Sequence, residues 1–304
     1  MDTIEKNPSV TVSIITCYGG ASLIDTARSI RASVNMPAFR FVIVADRNGV
    51  APEVKKELAP YNVEIIEKIG EDWTPHRKWR LIRDITTTDL LVLTQDDVIF
   101  EPDALAQAVG QFTANPETTI VNIRNIPAKP ENIFEAGVNV GTRLANRIGE
   151  LWNHGDNYIG LLGRAMVVRT EWFKKIELPD DVVSSDAYLY FLNKKMGGVY
   201  YNMAGARINF RNPQNMGEHW RKSSRFQYSE HEMQRYFTEN LHDEYHVPLS
   251  VIVRAVCEEF VQHPAAMLVY SYIWIYTRLF KQRAEKALAT THWEVDTSTK
   301  RVGK

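Results

Sequence analysis

Two aspartates stand side by side where an apolar run ends: LLVLT at residues 90–94 is followed at once by Gln95, Asp96 and Asp97. Adjacent carboxylates facing a cleft keep their charge only when something compensates it, because burial disfavours the ionised form. A divalent cation does that, and carboxylate oxygens are hard ligands of the kind Mg2+ and Mn2+ take. Such a cation, bridging a diphosphate, neutralises a leaving group as its bond breaks. The competing reading is that Asp96 or Asp97 caps the helix starting near Glu101, Pro102 and Asp103. Two more carboxylates raise the same choice. Asp46 follows FVIVA (41–45) and opens the cluster Asp46-Arg47-Asn48-Gly49, where an Asx-turn competes with a ligand-facing role. Asp186 lies in SSDAYLYF, where spacing alone favours a helix N-cap, either for it or for Ser184.

The elements that must position these residues alternate. VTVSIIT at residues 10–16 is β-branched and bounded by polar residues before and Tyr18-Gly19-Gly20 after, which reads as a buried strand. Residues 22–33 read as helix, 41–45 and 63–66 as strands, 74–84 as a helix opened by Thr-Pro, and 90–94 as another strand. Strands crossing over through helices make an α/β domain with a mostly parallel sheet. In open sheets of this kind ligands bind beyond the carboxyl ends of the strands. Tyr18, Asp46 and the pair Asp96-Asp97 are therefore expected to converge on one crevice.

Composition narrows the function classes. With 36 basic and 37 acidic residues the chain has no long-range field to gather nucleic acid, so such a partner is not expected. GxGxxG and GxxxxGK[ST] are both absent, which sets aside dinucleotide oxidoreductases and P-loop NTPases. The only cysteines, Cys17 and Cys257, form no ligand-spaced set, and the acidic, polar start MDTIEKNPSV lacks the order of a secretory signal. Both point to a cytoplasmic location. No repeat or low-complexity tract is visible. The character changes after Asn209, where basic and aromatic residues crowd 211–226 and long helical patterns follow from His231. The chain divides into an α/β domain at 1–215 and a helical region at 216–304, whose last residues, 290–304, read as irregular.

TVSIITCYGG, FVIVADRNG, LLVLTQDDVIFEPDAL, GLLGRAMVVRTEWF and SSDAYLYFLNKKMGGVYY, in this order and spacing, resemble glycosyltransferase family 2 over roughly residues 10–210. The resemblance implies a GT-A fold with a C-terminal helical extension, and a metal-dependent hexosyltransferase. It implies a nucleotide-diphosphate sugar donor, a Mn2+ or Mg2+ cofactor, and a single displacement that inverts the anomeric centre. Gln95-Asp96-Asp97 falls on the family's DxD signature, with Asp97 at the metal-ligating aspartate and Gln95 replacing the first acidic residue. That replacement implies either weaker metal binding or a local shift by which Asp96 takes the missing role. Asp46 matches the aspartate that hydrogen-bonds the donor's base, and Thr16 and Tyr18 match the segment flanking that base, which a uracil ring would fit. Asp186 matches the base that deprotonates the acceptor hydroxyl, with Ser185 where the family has glutamate. Gly163, within 160–169, matches a segment where glycine lets the backbone approach the donor sugar.

Four further readings come from flanking clusters. His219, Trp220, Arg221, Lys222 and Arg225 stand where the family carries a donor-covering loop; His219 is read either as a metal ligand or as an ordinary satisfied histidine, and Arg225 and Lys222 as phosphate clamps. His76, Arg77, Lys78 and Arg80 read as a solvated helix face, with Lys78 kept as a donor contact. PAAMLVYSYIWIYTRLF (264–280) falls short of the roughly 20 residues needed to span a bilayer. Its Tyr270, Tyr272, Trp274 and Tyr276, followed by Arg278, Lys281 and Arg283, fit shallow insertion into the cytoplasmic face of an inner or plasma membrane, with a lipid-linked or cell-envelope glycan acceptor; the alternative is a core or homodimer helix. Because Gln95 and Ser185 stand where the family is acidic, a catalytically inactive GT-A-like nucleotide-binding or scaffold protein is the competing function.

Overall fold

The computed structural model describes residues 8–237, 241–279 and 297–300; Lys281 and Arg283 lie outside them. The first half runs β1 (Val10–Thr16), α1 (Ala21–Arg31), β2 (Phe39–Arg47), α2 (Pro52–Leu58), β3 (Glu64–Ile69), α3 (Pro75–Ile85), β4 (Leu90–Gln95), β5 (Val98–Phe100), α4 (Ala104–Ala114) and β6 (Thr118–Pro127). Then come α5 (Ile133–Leu151), β7 (Ala165–Arg169), α6 (Thr170–Lys175), α7 (Ser185–Lys195), β8 (Val199–Phe210), α8 (Met216–Tyr236), α9 (His242–Tyr245), α10 (Leu249–Gln262) and α11 (Pro264–Leu279). The strands form one eight-stranded sheet in the order β3-β2-β1-β4-β7-β6-β8-β5. The expected parallel arrangement holds from β3 to β4, whereas β7 runs antiparallel to both β4 and β6.

Side-chain alternation explains why these runs form a doubly covered sheet. Val10, Val12 and Ile14 of β1 and Leu90 and Val92 of β4 point to one face, where α1, α2 and α4 supply Leu23, Val54 and Phe112. Ile15, Leu91 and Leu93 point to the other, where α3, α6, α7 and α8 supply Trp79, Phe173, Leu189 and Met233. Strands buried on both faces are continuous apolar runs, and that is how these read in the chain.

The C-terminal helices pack back onto this body. α5 joins α10 and α11 through Val140, Leu144, Ala255 and Met267. Gly137 allows the approach, since a Cβ there would fall 2.7 Å from Val269 Cγ1. Arg143 and Arg147 of α5 pair with Glu259 and Glu258 of α10. Below them Arg211, just past β8, donates to both oxygens of the fully buried Glu135 at 3.0 Å. Among the described residues no helix is long and apolar enough to cross a membrane.

Candidate active site

The register of the parallel strands sets the site. β1 pairs Thr16 with Ala45 of β2 and Ile15 with Gln95 of β4, so Thr16, Asp46 and Asp96 leave the sheet side by side. Thr16 Oγ1 donates to Asp96 Oδ2 at 2.5 Å and accepts from the amides of Tyr18 and Gly19. Gly19 holds the turn with φ +58, and a Cβ there would meet the Gly49 carbonyl oxygen at 2.1 Å. Two strand-end loops thus interlock. The buried Lys78 ties them from α3, its Nζ lying 2.7 Å from Asp46 Oδ1 and donating to the Thr16 carbonyl at 3.1 Å. Asp46 Oδ2 accepts from the Trp73 amide at 2.7 Å. Its carboxylate therefore goes to Lys78 and Trp73, while the local turn is closed by Gly49 N–H donating to the Asp46 carbonyl.

Asp96 and Asp97 do not cap a helix: β5 follows them, and α4 starts beyond Asp103. Both are buried. Asp97 Oδ1 accepts from Arg164 Nη1 at 3.0 Å. Lys300 Nζ lies 2.5 Å from Asp96 Oδ1 and 3.3 Å from Asp97 Oδ2. Burial alone would push the Asp97 carboxyl up, but the Lys300 ammonium and Arg164 guanidinium override it and hold it at about 2. The Arg164 guanidinium also sits 4.1 Å from the centre of the Phe210 ring, and Lys222 Nζ 5.3 Å from it. Arg164 and Lys300 thus set two positive charges against the pair, whereas Lys222 Nζ donates to Asn212 Oδ1 at 3.1 Å, and Arg225, one turn beyond Lys222 on α8, is half-buried.

Asp186 is not the N-cap of its helix, a position that Ser184 takes without a side-chain hydrogen bond. It lies in the first turn of α7, where Oδ1 accepts from the Ala187 amide at 3.0 Å, and Oδ2 accepts from the Gly163 amide at 3.2 Å. Burial raises its pKa above the ordinary carboxylate value, against the pull of the backbone N–H groups of Ala187 and Gly163. Gly163 also accepts from Gln95 Nε2 at 3.3 Å through its carbonyl.

Tyr18 is 44% exposed at the mouth of the β1–α1 turn. His219, on α8 beside Glu218, packs edge-on against Phe134, and burial followed by Lys222 lowers its pKa to about 4, leaving a neutral imidazole. The basic cluster on α3 is not a solvated face throughout. Arg77 is exposed and Arg80 pairs with Asp180, but His76 is buried, its Nδ1 2.7 Å from the Pro179 carbonyl oxygen.

Arg164 and Lys300 are the two functional candidates that sequence reading passed over. Arg164 reaches Asp97 because β7 pairs antiparallel with β4, opposing Ala165 to Thr94. Nothing local in the chain announces that pairing.

Asp96 and Asp97 turn carboxylate oxygens toward one positive charge, the Lys300 ammonium, and hard oxygen donors of this kind fit a Mg2+ or Mn2+ ion. Among the described residues no group of three or more His, Cys, Asp or Glu side chains able to hold a metal forms. No protein-family model matches the chain, and no curated protein matches it in sequence. Among solved structures the chain is similar to a mannosyltransferase from Pyrobaculum calidifontis in complex with GDP-Man and Mn2+, with a TM-score of 0.60 and 17% identity over 94% of this chain and 86% of that one. The fold is that of a nucleotide-sugar transferase: mixed α/β, with an eight-stranded sheet flanked by helices.

Proposed function

We propose that the chain is an inverting glycosyltransferase that moves a sugar from a nucleotide diphosphate donor to an acceptor hydroxyl. The observation that carries this is a short hydrogen-bonded link between the two halves of the chemistry: Gln95, adjacent to the carboxylate pair Asp96-Asp97, donates to the Gly163 carbonyl, and the Gly163 amide donates to the base candidate Asp186. A divalent cation held by Asp96 and Asp97, with His219 as a further ligand candidate, would supply neutralisation of the leaving diphosphate. Asp186 accepts the acceptor's proton as its oxygen bonds to the anomeric carbon; the bond from that carbon to the phosphate oxygen breaks, and the nucleoside diphosphate departs. Tyr18 offers a ring for the donor's base, while Lys78 ties Asp46 to the Thr16 carbonyl two residues before it. Lys222 and Arg225 would supply cationic contacts to the donor's diphosphate.

A uridine diphosphate sugar is the donor carried by the sequence reading, and the GDP-Man of the mannosyltransferase makes a guanosine diphosphate sugar its competitor. Purified chain with Mn2+ and a panel of both should release nucleoside diphosphate. Nucleotide binding without turnover would favour the inactive, scaffold reading.

α11 supports a membrane-facing acceptor. Leu268, Tyr272, Ile275 and Leu279 recur at helical spacing and are exposed, on the side away from Met267, Ile273 and Thr277, which are buried. With Trp274, Arg278 and, in the sequence, Lys281 and Arg283 beside them, a lipid surface is the occupant we infer.

A further inference from the structure

Three consecutive side chains near the C-terminal end dock into the site. Ser298 Oγ donates to Glu218 and accepts from the Gln214 amide at 3.2 Å, fixing the segment to the start of α8. Thr299 is buried, with Oγ1 3.5 Å from Asp97 Oδ2. Lys300 then places its ammonium between Asp96 and Asp97, with only 14% of its side chain exposed. The four oxygens of the pair are thereby taken: by Thr16 and Lys300 on Asp96, by Arg164, Thr299 and Lys300 on Asp97. Two carboxylates against Lys300 and Arg164 are already neutral. An incoming divalent cation would meet an ammonium of like sign on the same oxygens, so the two exclude one another.

We propose that the segment Thr297–Lys300 is an internal occupant of the donor site, with Lys300 holding the position of the divalent cation, so that loading cation and donor diphosphate requires the segment to withdraw. This rests on the reading of Asp96 and Asp97 as the cation's ligands. While Lys300 is docked the pair is not open to metal, and an apparent dissociation constant is divided by the open fraction. The segment thus acts as a competitor built into the chain: it keeps two buried carboxylates neutralised when no donor is present and yields to the doubly charged metal ion, whose remaining ligands the nucleotide's diphosphate would supply.

The test is Mn2+ uptake measured by calorimetry on the full chain, wild type beside Lys300→Met and Lys300→Arg, alone and with uridine or guanosine diphosphate. Lys300→Met should bind Mn2+ more tightly, by roughly tenfold or more if nine-tenths of wild-type molecules are docked, and its melting temperature should rise further on adding Mn2+. Lys300→Arg should resemble wild type. Should Lys300→Met fold poorly, Ser298→Ala, which loosens the segment from outside the carboxylates, should shift Mn2+ affinity the same way by less. Equal or weaker Mn2+ binding in Lys300→Met, or loss of nucleotide binding in it, would overturn the proposal by making Lys300 a bystander or a donor contact. Uptake by Lys300→Met alone would support it strongly. No uptake by any chain would overturn the cation reading as well.

Discussion

Gly163 donates its amide to Asp186 while its carbonyl accepts from Gln95, so the residue just before the Asp96-Asp97 pair is coupled through one glycine to the proposed base. An aspartate at position 95 would bring an acceptor against that carbonyl; the glutamine brings a donor. On the proposed reading, Gln95 is a positioning residue for Asp186 rather than a metal ligand.

Asp186→Asn should lower turnover about 100-fold to 10,000-fold, the usual worth of a general base, while nucleotide affinity holds. Because burial raises the Asp186 pKa, kcat should fall on the acid side at a pH above the ordinary aspartate range. The sign for stability is opposite. A carboxyl whose folded pKa is raised contributes most when protonated, and that contribution is lost as pH rises through the folded pKa. At pH 8 the asparagine variant should melt no lower than wild type, so a large drop would mark Asp186 as structural.

Gln95→Leu should reduce kcat by about tenfold, the worth of one neutral hydrogen bond, with the donor KM little changed. Gln95→Glu, which keeps the size but turns an acceptor on the Gly163 carbonyl, should cost more. A steady-state split in which KM rises and kcat holds would place Gln95 against the donor instead.

The strands that hold the site were readable because each is a short β-branched or aliphatic run ending in turn formers, from Thr16 to Gln95. Burial on both faces leaves such runs no polar alternation. What the chain did not disclose depends on pairing across long separations. Arg164 is opposite Gln95 only because β7 enters antiparallel beside β4. Lys300 meets Asp96 across 204 positions from a tail with no periodic pattern. His76 looked solvated among arginines, yet Trp79, Tyr188 and the Pro179 carbonyl enclose it. Local charge said nothing about which side of α3 faces the sheet.

The junction between β8 and α8 is held by a buried ion pair, and that predicts a stability effect distant from the chemistry. Arg211→Met leaves Glu135 charged and buried with the Gln214 side chain and the Glu131 amide as its remaining partners among the described residues, and should cost about 3–5 kcal/mol in urea unfolding. Replacing both, as Glu135→Leu with Arg211→Met, should recover most of the loss. If the double variant is as unstable as the single, the pair sets backbone geometry that an apolar contact does not reproduce.

α11 is buried on one side and apolar on the other, an arrangement that a helix finished by packing on α5 alone would not need. Leu268 is 67% and Leu279 75% exposed, and burying such side chains contributes about 25 cal/mol per Å2, with each nearby cation adding about 1 kcal/mol on an anionic surface. Wild-type chain should float with vesicles containing phosphatidylserine and less with neutral ones. Leu268→Glu with Ile275→Glu should abolish flotation and leave the melting temperature nearly unchanged, because those residues face away from α5. If wild type stays in the dense fraction while sedimentation shows a concentration-dependent dimer that the same double variant dissolves, the stripe covers a second copy of the chain rather than lipid.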